Sequence, residues 1–317
     1  MTKHDPHQNL RWLTHEFSSI SLEELNGKAE MLSRIDNKYV VQARELKAAL
    51  PELAQKFDVL EIERKRAFTY DTRYFDDAGR SAYYEHHQGL RKGFKVRIRR
   101  YADAGLCFLE VKVKGQRGMT EKYRLPHDPD DIARLSEPAR VFARETYARQ
   151  YGKPFRYDLH RVLDIRYKRI TLVAKSGGER MTVDTDLQFW SGDKSCNVGT
   201  GVFIVETKSR LGRGDGDKCL RRANVRLTKR CSKYCIGMAT MGQVTRFNRF
   251  LPAMRKLNLQ GIRAADAHEM HACAAQDNSD FGPNNDHTFA AGAMAPSSLP
   301  LRARQGENTS AGKLQRR

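Results

Sequence analysis

At 317 residues the chain could hold one large domain or two small ones, and 39% hydrophobic residues suffice for a core, which excludes a disordered protein overall. No run approaches the roughly 18 apolar residues of a spanning helix, and the polar start MTKHDPHQNL lacks a signal peptide's apolar centre, so a soluble, cytoplasmic protein is expected. Lys plus Arg at 57 against Asp plus Glu at 38 leave a net charge of +19, a self-repulsion that an anionic partner would offset: nucleic acid, a membrane surface or a phosphate-rich substrate.

In chain order, residues 1–27 read as an N-terminal extension, with an amphipathic patch at 10–17 and a helix start at Ser21. Residues 28–252 read as the main domain. Period-two runs fall at 34–41, 66–76, 93–101, 106–114, 119–125, 163–174, 180–189 and 202–209, about eight strands. Helical spacing falls at 43–57, 130–149, 220–230 and 238–249. Long antiparallel strands with a few helices predict an α+β fold: a closed antiparallel β-barrel with helices packed outside. Residues 253–317 turn to Ala, Gly, Asn, Ser, Pro and His without apolar periodicity and are expected to form a disordered tail. No internal repeat is visible.

The cations alternate within strands instead of running in blocks. In the stretch 95–101, Lys95, Arg97 and Arg99 share one face and Val96 and Ile98 the other. Glu110, Lys112 and Lys114 oppose Leu109, Val111 and Val113, and Lys122 and Arg124 oppose Tyr123 and Leu125. The same parity places Arg169 with Thr171, Arg180 with Thr182 and Asp184, and Glu206 with Lys208. One such strand is an ordinary wetted face. Many of them, with helices over the apolar side, turn the charges toward a shared axis, and such a chamber is unstable without a polyanion or counter-ions.

Arg forks and Lys point charges suit a chain of phosphates. Glu110 is expected to pair with its neighbours and orient them. Glu206 is the better candidate for holding Mg²⁺ or Mn²⁺, which bind through one or two carboxylates plus substrate phosphates. No GxxxxGK[S/T] stretch or nicotinamide-type glycine fingerprint occurs, and no nucleophile–base pair stands out from spacing. Phosphoryl transfer needs neither, because alignment and charge stabilisation carry it. Cys219, Cys231 and Cys235 lack a fourth zinc ligand and read as free thiols; His268, His271 and Cys273 lie where no pattern fixes their geometry. His86 and His87, taken as strand neighbours, would point opposite ways and serve the surface or hydrogen bonds.

Several stretches resemble, in family order, the VTC domain, the polyphosphate polymerase module of the CYTH/triphosphate-tunnel superfamily: RIDNKY at 34–39, YDTRYFD at 70–76, KVRIR at 95–99, FLEVK at 108–112, GMTEK at 118–122, RMTVD at 180–184, VETK at 205–208 and SKY at 232–234. The resemblance implies Arg97, Arg99, Lys112, Lys122, Arg169 and Arg180 as catalytic phosphate-gripping residues. It further implies Lys38, Lys208, Ser232 and Lys233 as phosphate-binding residues and Glu206 as the ligand of Mn²⁺ or Mg²⁺. It implies transfer of the terminal phosphate of ATP onto polyphosphate, and a separate membrane protein as partner. Hydrolytic relatives open with ExExK, whereas the aligned stretch here is Arg34-x-Asp36-x-Lys38, with fewer carboxylates. The literal EIERK at 61–65 lies after the first helix and reads as a decoy.

Two alternatives stay open: a triphosphatase of the same fold, and a non-catalytic polyanion- or RNA-binding module. Nucleic acid ranks last, because stacking on bases needs aromatics beside the cations and most Tyr and Phe are expected on the opposite face.

Overall fold

A computed structural model describes residues 8–28, 35–115 and 120–264. Arg34, the GM pair at 118–119, the His268/His271/Cys273 group and the tail from 265 on lie outside the described residues.

All eight expected strand runs form strands: β2 (Ile35–Gln42), β4 (Phe68–Asp76), β5 (Phe94–Tyr101), β6 (Leu106–Lys114), β7 (Thr120–Pro126), β8 (His160–Ala174), β9 (Arg180–Ser191) and β11 (Val202–Ser209). They pair antiparallel in the order β7-β6-β5-β4-β8-β9-β11-β2. Four short strands extend this ribbon. β3 (Phe57–Leu60) pairs with β8 and carries β1 (Ser19–Ile20), while β10 (Lys194–Val198) pairs with β9 and carries β12 (Leu259–Ala264).

The expected closed barrel is not what the hydrogen bonds make. Among the described residues no pairing joins the ribbon's two ends, β2 and β7. The reason lies in the connector before residue 233: the Thr228 amide donates to the Lys38 carbonyl at 2.8 Å, and Thr228 Oγ1 accepts from the Val40 amide at 3.1 Å. The free edge of β2 is thereby occupied, so its backbone groups are satisfied without a closing strand.

Outside, alternation buries the apolar face as expected. Helix α4 (Glu137–Tyr151) lays Ala139, Ala143 and Tyr147 over Val96, Ile98, Leu109 and Val111; Ser136 accepts from the Ala139 amide as its N-cap, and Gly152, in the left-handed region, ends it. Helices α2 (Ala43–Lys56) and α5 (Asp215–Arg222) cover Tyr39, Val41, Phe203, Val205 and Met181. Helix α1 (Leu22–Lys28) starts with the Ser21–Glu24 capping box: the Ser21 amide donates to Glu24 at 2.9 Å and the Glu24 amide to Ser21 Oγ at 3.2 Å.

The expected domain limits at 28 and 252 are too narrow on both sides. Leu10, Leu13 and Phe17 are buried in the same cluster as α2, and Ile20 and Leu25 in another with Leu60 and Val173. Beyond 252 the chain continues through α7 (Leu251–Lys256) into β12, because Phe250, Ala253 and Leu257 are buried core.

The helices expected at 220–230 and 238–249 sit earlier, as α5 and as α6 (Lys233–Thr240), and α6 does not lie outside. It packs on Leu163, Ile165 and Ile204, which keep the charged-face parity, and on Phe189, which a bulge at 186–187 brings to the same face opposite Ile165, and so fills one end of the ribbon's concave side. Gly237 permits this approach, since a Cβ there would lie 2.6 Å from Leu163 and 2.8 Å from Phe189. His86 and His87 are on helix α3 (Ser81–Gln88), not a strand, so they are a helical step apart; His87 Nε2 bonds Asn248 Oδ1 at 3.0 Å. The EIERK stretch forms a tight turn, with Glu63 and Arg64 at positive φ and Glu61 held by Arg66. Cys231 and Cys235 are buried in the α6 cluster and Cys219 in the α2 cluster, as free thiols.

Candidate active site

Register stacks the inward side chains into rows. Across β5, β6 and β7, Lys95 faces Lys112 and Lys112 faces Lys122; in the next row Arg97 faces Glu110 and Glu110 faces Arg124. On the far side Thr171, Thr182, Glu206 and Lys38 form a row across β8, β9, β11 and β2, with Arg180 opposite Lys208. Among the described positions, the sequence-derived residues Lys38, Arg97, Arg99, Lys112, Lys122, Arg169, Arg180, Glu206 and Lys208 thus share one concave face, and the N-terminus of α6 adds Ser232 and Lys233.

Three buried carboxylates organise these cations. Glu110, fully buried, bonds Arg97 Nε at 2.7 Å and Arg124 Nε at 3.1 Å, with Lys122 at 3.5 Å and Arg99 at 3.8 Å. Burial alone would raise its pKa, but Arg97, Lys122, Arg99 and Arg124 together hold it well below the usual carboxylate range. Asp184 grips Arg169 with both oxygens, at 2.6 and 2.8 Å, and also pairs with Lys233. Against the same burial, Arg169 and Lys233 bring its carboxyl down to about 2. Glu206 sits between Lys208 at 2.8 Å and Lys38 at 3.7 Å and is held well below its ordinary value by them. The expected orienting role of Glu110 is what its geometry shows. Glu206 shows the same geometry.

Tyrosines lie beneath the cations, which corrects the expectation that aromatics face away. Tyr70, Tyr74 and Tyr167 share the inward parity: Arg169 stands 5.2 Å from the Tyr70 ring centre and 5.3 Å from that of Tyr167, Arg99 5.4 Å from Tyr70, and Lys233 4.9 Å from Tyr167. Tyr74 donates no base-stacking surface; it is buried, bonded to Arg97 at 2.8 Å and stacked on Tyr234.

Lys112 differs from its neighbours. Among the described residues it has no hydrogen bond or ion pair, and Arg97's charge, with burial, pushes its ammonium well below the usual lysine range. Burial, with Arg124, Arg97 and Arg99 opposing Glu110, brings Lys122 down to about 7. His86 is kept neutral by Lys95 first, then burial, which lower it to about 2.

Lys122 gives a pH-linked expectation. A free lysine titrates near 10.4, so between about pH 7 and pH 10 the empty folded protein binds fewer protons here than the unfolded chain, and this group makes stability rise with pH. An anion that restores the ammonium must bring in a proton. Calorimetric titration with inorganic tripolyphosphate at about pH 8, in two buffers of different ionisation enthalpy, will show proton uptake, and Lys122→Gln will take up fewer protons. Equal uptake by both proteins would remove Lys122 from the anion's surface.

A divalent cation can be tested against this donor set. Among the described residues no three His, Cys, Asp or Glu side chains gather around a metal position. A hard cation arriving on phosphate oxygens would need one protein carboxylate, and Glu206, here paired with Lys208 and Lys38, would be the residue to hold it. A fully protein-built cage does not fit.

The VTC domain family model matches residues 33–242. This chain belongs to the VTC domain family. No curated protein sequence matches it. Among solved structures, a candidate adenylate cyclase from Bacillus halodurans is 13% identical, with a TM-score of 0.41, over 63% of this chain and 95% of that one. A candidate adenylyl cyclase from Hippeastrum, described as having a dominant triphosphatase activity, is 13% identical with a TM-score of 0.40, over 66% and 96%. A Pyrococcus horikoshii protein is 13% identical with a TM-score of 0.34, over 62% and 94%. In this VTC domain no helix among the described residues is long and apolar enough to cross a membrane.

What sequence reasoning left out of the site is Arg124, Lys95 and Asp184 as working members, and the tyrosine floor. The signal for the first three was present, since they keep the inward parity of their strands. Thr228, which blocks the β2 edge, had none.

Proposed function

We propose that this VTC domain transfers the terminal phosphoryl group of ATP onto a polyphosphate chain held in its cationic chamber. The observation that carries the reading is the row Lys95–Lys112–Lys122. Like charges directly opposite one another on a sheet are unfavourable, and among the described residues the row is met by one carboxylate, Glu110, which pairs with Lys122 and attracts Lys112. A linear polyanion laid along the row supplies the missing charge.

In the proposed reaction an oxygen of the chain's terminal phosphate attacks the γ-phosphorus of ATP. A new P–O bond forms, the bond to the β,γ-bridging oxygen breaks, and ADP leaves. Arg97 and Arg99, fixed by Glu110, and Arg169, fixed by Asp184, are already aimed inward and need no reorganisation to meet the charge on the transferred group. Lys38, Lys112, Lys122, Arg180, Lys208, Ser232 and Lys233 hold the flanking phosphates. A Mn²⁺ or Mg²⁺ ion carried by ATP and held by Glu206 would supply Lewis-acid charge neutralisation. A membrane protein encoded as a separate chain would be the partner, and the buried tyrosines leave no open rings for stacking RNA bases.

Incubation of the purified chain with ATP and Mn²⁺, with products resolved by size on a gel, will give a polyphosphate ladder. Free phosphate alone would replace this reading with a triphosphatase, and unchanged ATP with a binding module.

A further inference from the structure

Outside the strands, between the end of α3 and the segment after α4, lies an open cavity of about 630 Å³, within the range of roughly 300–1,000 Å³ typical of small-ligand sites. Its wall and rim differ in chemistry. Leu90, Pro154 and Tyr157 make an apolar side, and Leu90 is 46% exposed there. Arg91, Lys153 and Arg156 supply positive charge around it. Glu85 lines the cavity too: its Oε1 accepts from the Tyr157 hydroxyl at 3.0 Å, while its Oε2 is buried with no hydrogen-bond partner among the described residues. That oxygen is closed off from the cavity as it stands, so a donor in the cavity meets it once the carboxylate turns.

The cavity adjoins the charged chamber. Lys114, which follows Lys112 on the inward parity of β6, donates from Nζ to the Leu90 carbonyl at 2.6 Å. It lies within the electrostatic reach of both Glu85 and Lys95, and Lys95 in turn reaches Ser232 Oγ at 3.3 Å. A ligand spanning from Leu90 past Lys114 to Lys95 would therefore have an apolar end in the cavity and an anionic end in the chamber. Polyphosphate has no apolar end, and a nucleoside triphosphate has one.

We propose that this cavity is the nucleobase pocket for the entering nucleotide, with an aminopurine lying against Leu90, Pro154 and Tyr157, its amino group donating to Glu85, and its α-phosphate among the rim cations. The proposal rests on the chamber holding the triphosphate, and it names the feature that lets the site tell ATP from an inorganic phosphate chain. Arg91, Lys153 and Arg156 then draw in the nucleotide without fixing its identity.

The test compares binding of ATP with binding of inorganic tripolyphosphate by isothermal titration calorimetry, for the wild type, Leu90→Ser and Tyr157→Ala. Leu90 is half exposed, so its variant keeps the fold even if loss of the Tyr157 ring disturbs packing. Expected is about a tenfold loss of ATP affinity in Leu90→Ser, worth about 1.4 kcal/mol, with tripolyphosphate affinity held within about twofold. ATP binding that is unchanged, or weakened equally with tripolyphosphate, overturns the pocket. Wild-type protein that fails to bind tripolyphosphate overturns the chamber reading instead, and the pocket then stands only if ATP still binds and still weakens in Leu90→Ser.

Discussion

Glu110→Gln will lower the stability of the empty protein by about 3–5 kcal/mol, and tripolyphosphate will return part of that loss. Glutamine keeps the shape and one acceptor oxygen, so packing against β5 and β7 survives. What goes is the one negative charge shared by Arg97, Arg99, Lys122 and Arg124 at a fully buried position. Three guanidinium ions, joined by Lys122 wherever it holds its proton, then face one another in a low-dielectric chamber, where loss of the shared partner leaves them uncompensated. An anion bound at 100 times its dissociation constant stabilises the native state by about 2.7 kcal/mol. Urea titrations with and without tripolyphosphate measure both effects. The same substitution removes an acid limb. Glu110 titrates well below an unfolded glutamate, so its stabilisation is complete above about pH 4.3 and is lost as pH falls below it; the Gln variant will lack this contribution. A variant as stable as the wild type would mean that Glu110 does not organise these cations.

How far the sequence revealed this arrangement depends on what each element needed. Seven of the eight long strands were legible as unbroken period-two runs, and β9 stayed legible although a bulge at 186–187 shifts its parity. Strands β1, β3, β10 and β12, of two to six residues, are too short to show a period and exist through their partners. The N-terminus of α5 was misread because its cap comes from far away: the Glu179 carboxylate accepts from the Asp215 and Gly216 amides at 2.7 and 3.0 Å. Helix α6 carried a missed clue. Tyr234, Cys235, Ile236, Met238 and Ala239 are apolar on every face, as befits a helix enclosed on all sides. The inward cations were readable from parity alone. Their grouping around Glu110, Asp184 and Glu206 was less so, since it depends on which strands lie side by side. Closure was not readable at all, because nothing in a threonine at 228 announces that it will occupy the edge of β2.

Lys112→Ala will separate function from folding: activity falls at least tenfold, about 1.4 kcal/mol on the barrier, while stability stays level or rises. Arg97 could not make this distinction, because removing it also strips Glu110 of its closest partner. Lys112 breaks no ion pair when it leaves. It stands opposite Lys95 and Lys122 and within the field of Arg97, so in the empty chamber its charge is opposed on three sides and favoured by Glu110 alone among the described carboxylates. Its ammonium becomes favourable only when phosphate oxygens lie across the row, which is the moment the reaction needs it. Measuring the rate of polyphosphate formation and the urea midpoint on the same preparation gives both numbers. If Lys112→Ala destabilises the protein and leaves synthesis at the wild-type rate, the row is scaffolding and the phosphate path must run elsewhere in the chamber.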